Sequence, residues 1–186
     1  MTIDEVLFEA EEKMEKTAAK VHEDFASVRT GKASPALVEN LRVDCYGTSM
    51  RLRELAGITA PEPRMVMIQP WDASNVDPIR KAIEGANIGI APLVDGKIIR
   101  LPIPELSEER RKEMTKLIGK MAEDSKVAIR HIRRDAMDAI KKSQKESKVT
   151  EDDLERCEKE IQHLTDTFTK KIDEQFKHKE AELMKV

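Results

Sequence analysis

Lys126, Arg130, Arg133, Arg134 and Lys141 are the side chains of this chain whose type and spacing could do chemistry. At 100° per residue of helix they fall within about 100° of one another, so an uninterrupted helix presents them as one cluster. Arginine carries a planar fork of donors that matches phosphate oxygens, which makes the chemistry on offer the binding of a polyanion and not the breaking of a bond. A charge run of this kind can also be a solvated face, with Glu123 or Asp135 neutralising part of it. Against that stands the distance from the start of its own helix, on the order of 40 Å at 1.5 Å per residue, where the cluster can play no part in holding the proline- and glycine-rich middle block of the chain. With four Phe, one Tyr and one Trp in the chain, and most of them assigned to core stripes, there is no stacking platform for single-stranded bases. What remains is recognition of folded RNA by backbone and shape.

Other chemistries fail on spacing. His22, His131, His163 and His178 fall on helical segments without an i,i+4 histidine or cysteine partner, and Cys157 to His163 is a separation that does not share a helical face. No metal, no cofactor and no catalytic residue are expected. A phosphate-binding glycine loop, a dinucleotide fingerprint and a nucleophile elbow are all absent from the sequence, and pairs such as Asp152-Asp153 suit helix starts. Cys45 and Cys157 lie in different segments with no CxxC, and are expected to be reduced thiols. No stretch approaches the ~18 apolar residues of a membrane span, and the acidic, amphipathic amino terminus is unlike a secretory or transit signal, so a cytoplasmic protein is expected. The composition, 37% charged and 39% hydrophobic, fits a soluble, surface-rich molecule.

The elements that must position the cluster follow from the helix breakers. All eight prolines and six of seven glycines lie between Gly31 and Pro104. Proline costs a helix interior ~3 kcal/mol and glycine ~1 kcal/mol, so the flanks can be long helices and the middle must be something else. The first flank places Ile3, Leu7, Ala10, Met14, Thr17, Val21, Phe25 and Val28 on one stripe. A second helix starts after Ser107 as N-cap, carries Met114, Ile118, Met121, Ser125, Ala128, Ile132, Ala136 and Ala139 as its core stripe, and continues to about Ser147. On that stripe the cations stand nearly opposite the core. A third starts at Thr150, with Asp153 completing a capping box, and carries Leu154, Cys157, Ile161, Leu164, Phe168, Ile172, Phe176 and Leu183. The charge alternates with the helices: residues 1–30 hold 4 Lys/Arg against 8 Asp/Glu, 107–149 hold 13 against 8, and 150–186 hold 7 against 11.

The middle block reads as a small α+β domain. Leu41–Tyr46 and Met50–Leu52 form two strands about a Gly47-Thr48 turn, and Arg64–Gln69 a third. A short helix begins at Asp72 or Ser74, buries Val76, Ile79 and Ile83, and ends at Gly85 or Asn87; Ile88–Ile90 and Ile98–Leu101 close a hairpin through Asp95-Gly96. The expected fold is mainly α with an inserted α+β domain: residues 1–30 and 105–186 as a discontinuous, elongated three-helix bundle, and 31–104 as a β/α/β sandwich. The two connections, at Thr30-Gly31 and Pro102–Pro104, are candidates for a hinge.

Four segments in order, Arg29–Pro35, Leu101–Pro104 with Leu106–Lys112, Arg130–Ala136 and Lys179–Met184, resemble those of the bacterial ribosome recycling factor family, over essentially the whole chain. That resemblance implies an L-shaped molecule that acts as a monomer, with a helical domain that docks on large-subunit ribosomal RNA. It implies a factor that works with elongation factor G and its GTP hydrolysis to split the post-termination ribosome into subunits. Carried onto this sequence, it implies RNA contacts at Arg130, Arg133 and Arg134, with Arg29 and Arg110 as further candidates, and a hinge at Thr30, Gly31, Pro102 and Pro104.

Overall fold

A computed structural model describes residues 2–146 and 148–185. It divides into two compact units, one comprising the chain up to Phe25 with Thr115–Glu182, the other Ala26–Met114 with the last residues from Leu183.

The first unit is built from three helices: α1 (Ile3–Ala26), α4 (Glu108–Lys145) and α5 (Glu151–Met184), the latter two named for their place in the chain order given below. Both starts predicted from capping are present. The Arg110 amide donates to Ser107 Oγ at 3.2 Å, and the Asp153 amide donates to Thr150 Oγ1 at 3.2 Å while the Thr150 hydroxyl donates back to the Asp153 carboxylate. α4 ends at Lys145, and Ser147, the predicted end, lies outside the described residues.

The core stripe of α4 is rotated from the predicted one. Its buried residues are Ile118, Ala122, Ile129, Ala136 and Ile140, whereas Ala139 is exposed and Ser125, Ala128 and Ile132 are half-buried. This set is centred about 60° around the helix from the stripe that runs Met114 to Ala139. Ile118 and Ala136 belong to both stripes. Ile129 and Ile140 become fully buried in the observed phase, while Met114, Met121 and Ile132 of the predicted stripe stay half-buried and only the small Ala139 is left exposed, so little apolar surface is given up. α1 contributes Val6, Ala10, Met14, Ala18, Val21 and Phe25, and α5 contributes Cys157, Ile161, Phe168 and Ile172. Burial raises the Cys157 thiol above its ordinary value.

The second unit holds the hairpin β1 (Arg42–Cys45) and β2 (Thr48–Arg51), a single turn α2 (Leu52–Leu55), β3 (Ala56–Glu62), β4 (Met65–Pro70), α3 (Val76–Gly85), β5 (Leu93–Asp95) and β6 (Ile98–Pro102). The last four strands make one antiparallel sheet in the order β3-β4-β6-β5. Val76, Ile79 and Ile83 of α3 are buried as predicted, with Val43, Leu52, Val66, Ile68, Ile99 and Leu101 in the same core.

Three readings of this block need correction. β3 was not anticipated, because Gly57 and Pro61 interrupt its pattern. It is an edge strand whose register with β4 shifts between Thr59 and Glu62, the setting in which a proline's missing N–H costs no ladder bond. Ile88–Ile90 is not a strand: Asn87 and Gly89 have φ of +51° and +74°, and such left-handed residues cannot alternate in a ladder, so Ile90 reaches the core from a loop. The β1–β2 turn is Tyr46-Gly47 and not Gly47-Thr48, since Cys45 pairs with Thr48.

Ile129→Ala should cost about 2–5 kcal/mol of stability in urea unfolding, whereas Ala139→Ser should stay within about 0.5 kcal/mol. The predicted stripe would reverse that order. Lys179 gives a second test, being buried on α5 with its Nζ 3.7 Å from Glu182 Oε2. Burial lowers its pKa from 10.5, opposed by Glu182, so the native state holds its proton less tightly than the unfolded chain. Stability then rises with pH between the lowered value and 10.5, and the burial cost is fully present below that window. Lys179→Met should therefore raise Tm by a few degrees at neutral pH, an advantage that narrows as the pH approaches the ordinary lysine value.

Candidate nucleic-acid interface

The phase of the α4 stripe sets where its cations point. Arg133 and Lys126 flank the core instead of standing opposite it, and both are half-buried. Lys126 is committed to the bundle: its Nζ lies 3.1 Å from Asp173 Oδ1 on α5 and 3.4 Å from Glu123 Oε2. The bond to Asp173 raises its pKa despite the burial that opposes the charge. Arg130 is exposed and donates from Nη2 to Glu123 Oε1 at 2.9 Å. Glu123 thus bridges two cations, and the hydrogen bonds from Arg130 and then Lys126 hold its carboxyl below the usual range.

Arg133 is different. Its Nη1 donates to Gln162 Oε1 at 3.0 Å, and the Gln162 amide in turn donates from Nε2 to Asp166 Oδ1 at 2.8 Å, one helical turn along α5. A neutral amide thus orients the guanidinium, and the positive charge is not cancelled by direct pairing. Arginine has five N–H donors, which leaves most of the fork for another acceptor. Arg134, next in sequence, is exposed with no hydrogen bond or ion pair among the described residues, and Lys141 two turns further is exposed likewise. An open groove of about 720 Å³ runs between α4 and α5 beside Arg133, lined also by Met137, Gln162, His163 and Asp166. Arg133, Arg134 and Lys141 are therefore the cations of this face that no carboxylate of the described residues pairs directly, although Glu155, Glu158 and Asp166 also line the groove.

Arg29 and Arg110, the two further candidates, lie in the second unit. Arg29 is half-buried and spans two backbone segments, donating from Nη2 to the Pro104 carbonyl at 3.1 Å and from Nη1 to the Gly89 carbonyl at 3.4 Å. Burial, then the neighbouring Arg110 charge, lowers its pKa. Arg110 is paired with Glu113 at 2.7 Å. Of the candidate hinge residues, Gly31 has φ of +83°, a conformation that favours glycine, and Pro102 is part of β6, opposite Met65. The Ile103 amide extends that pairing to the Arg64 carbonyl at 2.8 Å.

Glu123, named from the sequence as able to neutralise part of the cluster, does so by pairing with Arg130 and Lys126, whereas the positioning residues Gln162, Asp166 and Asp173 were not singled out. The i,i+4 pair Gln162–Asp166 was readable as a local signal; the α4–α5 bonds, 47 and 29 positions apart, were not. The aromatic inventory is also corrected: Phe8, Tyr46 and Trp71 are 68%, 70% and 70% exposed, so half of the six aromatic residues lie outside the cores. Among the described residues no cluster of His, Cys, Asp and Glu could hold a metal ion, and no helix is long and apolar enough to cross a membrane.

The model of the ribosome recycling factor family matches residues 21–184. Ribosome-recycling factors of Caldicellulosiruptor saccharolyticus and Alkaliphilus metalliredigens are 49% and 47% identical, each alignment covering 95% of this chain and 96% and 95% of the relative. A solution structure of a ribosome recycling factor superposes over the whole chain and 99% of its own, with a TM-score of 0.79 at 34% identity. The T. thermophilus ribosome recycling factor, in a structure with E. coli elongation factor G bound to the E. coli post-termination complex, superposes over the full length of both chains with a TM-score of 0.68 at 39% identity.

Glu123→Gln removes the carboxylate that pairs with both Arg130 and Lys126 while leaving an amide to bond Arg130. It should tighten binding to a folded RNA at low salt by roughly two- to fivefold, measured by filter binding. Weaker binding would mean that Glu123 holds Arg130 in place more than it masks it.

Proposed function

The chain belongs to the ribosome recycling factor family, and from that premise we propose that it is a translation factor which, with elongation factor G and GTP, dissociates the post-termination ribosome into subunits. It acts in the cytoplasm as a monomer and is not itself an enzyme: the energy comes from the partner's GTP hydrolysis. The helical unit binds large-subunit ribosomal RNA through Arg130, Arg133 and Arg134. The observation that carries this reading is that Arg133 is oriented by a neutral amide and that Arg134 has no partner among the described residues. A face that served only the bundle would have its cations matched to carboxylates, as Lys126 is matched to Asp173.

Arg29 has a different role on this reading. Its two bonds to backbone carbonyls make it a strut between the loop at Gly89 and the segment at Pro104, beside the proposed hinge residues Thr30, Gly31, Pro102 and Pro104. RNA contact would have to compete with both bonds, and Arg110 would have to leave Glu113.

Cosedimentation with isolated subunits across a salt series tests the reading. Association with the large subunit should fall steeply, with a log–log slope on the order of −2 to −3 for three phosphate contacts. Arg133→Ala should weaken association about tenfold and reduce that slope by about 1, with Tm unchanged, because its one bond to Gln162 is exposed. Absence of any association at low salt would overturn the reading.

A further inference from the structure

The chain has one tyrosine and one tryptophan, and both are 70% exposed on the second unit. Side chains with this much apolar area are normally spent on a core. The contacts around them fix the Tyr46 ring and the backbone of Trp71 in place.

Tyr46 opens the two-residue turn between β1 and β2 with φ of +53°, followed by Gly47 at +75°. A turn with both central residues left-handed favours Asn-Gly or Gly-Gly, and an aromatic residue there is disfavoured. The Tyr46 hydroxyl donates to Asp72 Oδ2 at 2.6 Å, which ties the ring across to the next segment. The other oxygen of Asp72 accepts the Ser74 amide at 3.0 Å, opening the turn that leads into α3. Trp71 precedes Asp72, and its backbone amide donates to the Leu55 carbonyl at 3.1 Å. Beneath, Cys45 Sγ lies 2.9 Å from Asn75 Oδ1 in a buried contact that joins the same two segments. The Tyr46 ring and the backbone that carries Trp71 are thus set in place before any partner arrives, so docking loses less conformational freedom there.

The charge built into this platform is negative. The Tyr46 hydroxyl, then the Ser74 amide, hold the Asp72 carboxyl below its usual range, so it is ionised at neutral pH. A carboxylate has acceptor sites beyond the two already used. Phosphates stacked alongside would be repelled by it, whereas a guanidinium can lie on an aromatic face and donate to a carboxylate at its edge. We infer that Tyr46, Trp71 and Asp72 form a pre-ordered docking platform for an arginine-bearing segment of a protein partner. The inference rests on the recycling reading only for the choice of probe, elongation factor G.

Trp71→Ala and Tyr46→Gly are the variants, the first removing an exposed side chain and the second placing glycine where its backbone freedom suits the turn. Both should keep their Tm and their cosedimentation with the large subunit, and both should lower elongation factor G-dependent subunit splitting about tenfold or more. Trp71→Phe should restore most of it. Association of the factor with the free chain, followed by sedimentation velocity, should weaken in step. Splitting within about twofold of the unmodified chain in both variants would overturn the inference while leaving the recycling reading intact. Trp71-dependent association with elongation factor G by a chain that fails to split ribosomes would do the reverse. Quenching of Trp71 emission by single-stranded homopolymeric RNA, with splitting unchanged in the variants, would give the platform to nucleic acid and end the proposal.

Discussion

The azimuth of α4 governs the helical unit. Ile118, Ile129 and Ile140 are buried nearly completely, and each would lose the transfer free energy of its side chain if the helix turned, roughly 1.5–3 kcal/mol apiece. No surface ion pair on the helix is worth as much. The apolar stripe therefore chooses the rotation, and the charged side chains take whatever neighbours it assigns them. That is why Lys126 meets Asp173 and Arg133 meets Gln162, each across the α4–α5 seam.

The long helices were legible because their interiors avoid proline and their starts carry caps that act locally. Ser107 and Thr150 satisfy amides three residues away, a relation that needs no tertiary knowledge. The phase of α4 was not legible from periodicity alone. Ser125, Ala128 and Ala139 are small enough to suit the core or the surface, so two stripes sharing Ile118 and Ala136 fitted the pattern almost equally. Only the contact with α1 and α5 favours the phase that buries Ile129 and Ile140. The cationic cluster itself survives either phase, being one face of one helix. Its division into paired and unpaired members does not, because Gln162 and Asp173 come from a distant stretch of chain.

In the second unit the failures share a cause. Sequence patterns report strands through alternation of side chains, and both β3 and the Ile88–Ile90 loop break that link. β3 is an edge strand that needs a partner on one side only, so Gly57 and Pro61 are tolerated and the pattern is lost. At Ile88–Ile90 the apolar residues imitate a strand while Asn87 and Gly89 turn the backbone out of any ladder. α3 was easier, since Val76, Ile79 and Ile83 follow the helical period and Asp72 marks its approach.

The pairing of Arg133 with a glutamine separates what stabilises the bundle from what the bundle presents. A carboxylate at position 162 would hold the guanidinium more strongly, since charge-assisted hydrogen bonds are about twice as strong as neutral ones. It would also cancel the positive potential that a phosphate would meet. Gln162 instead fixes the direction of the side chain through one neutral bond, and Asp166 fixes Gln162 from one turn away without touching the arginine. The groove beside them stays open. A protein that must grip a charged surface and later release it gains from this arrangement: the cation is oriented in advance but not neutralised, so the binding strength resides in long-range charge that salt and competing contacts can undo.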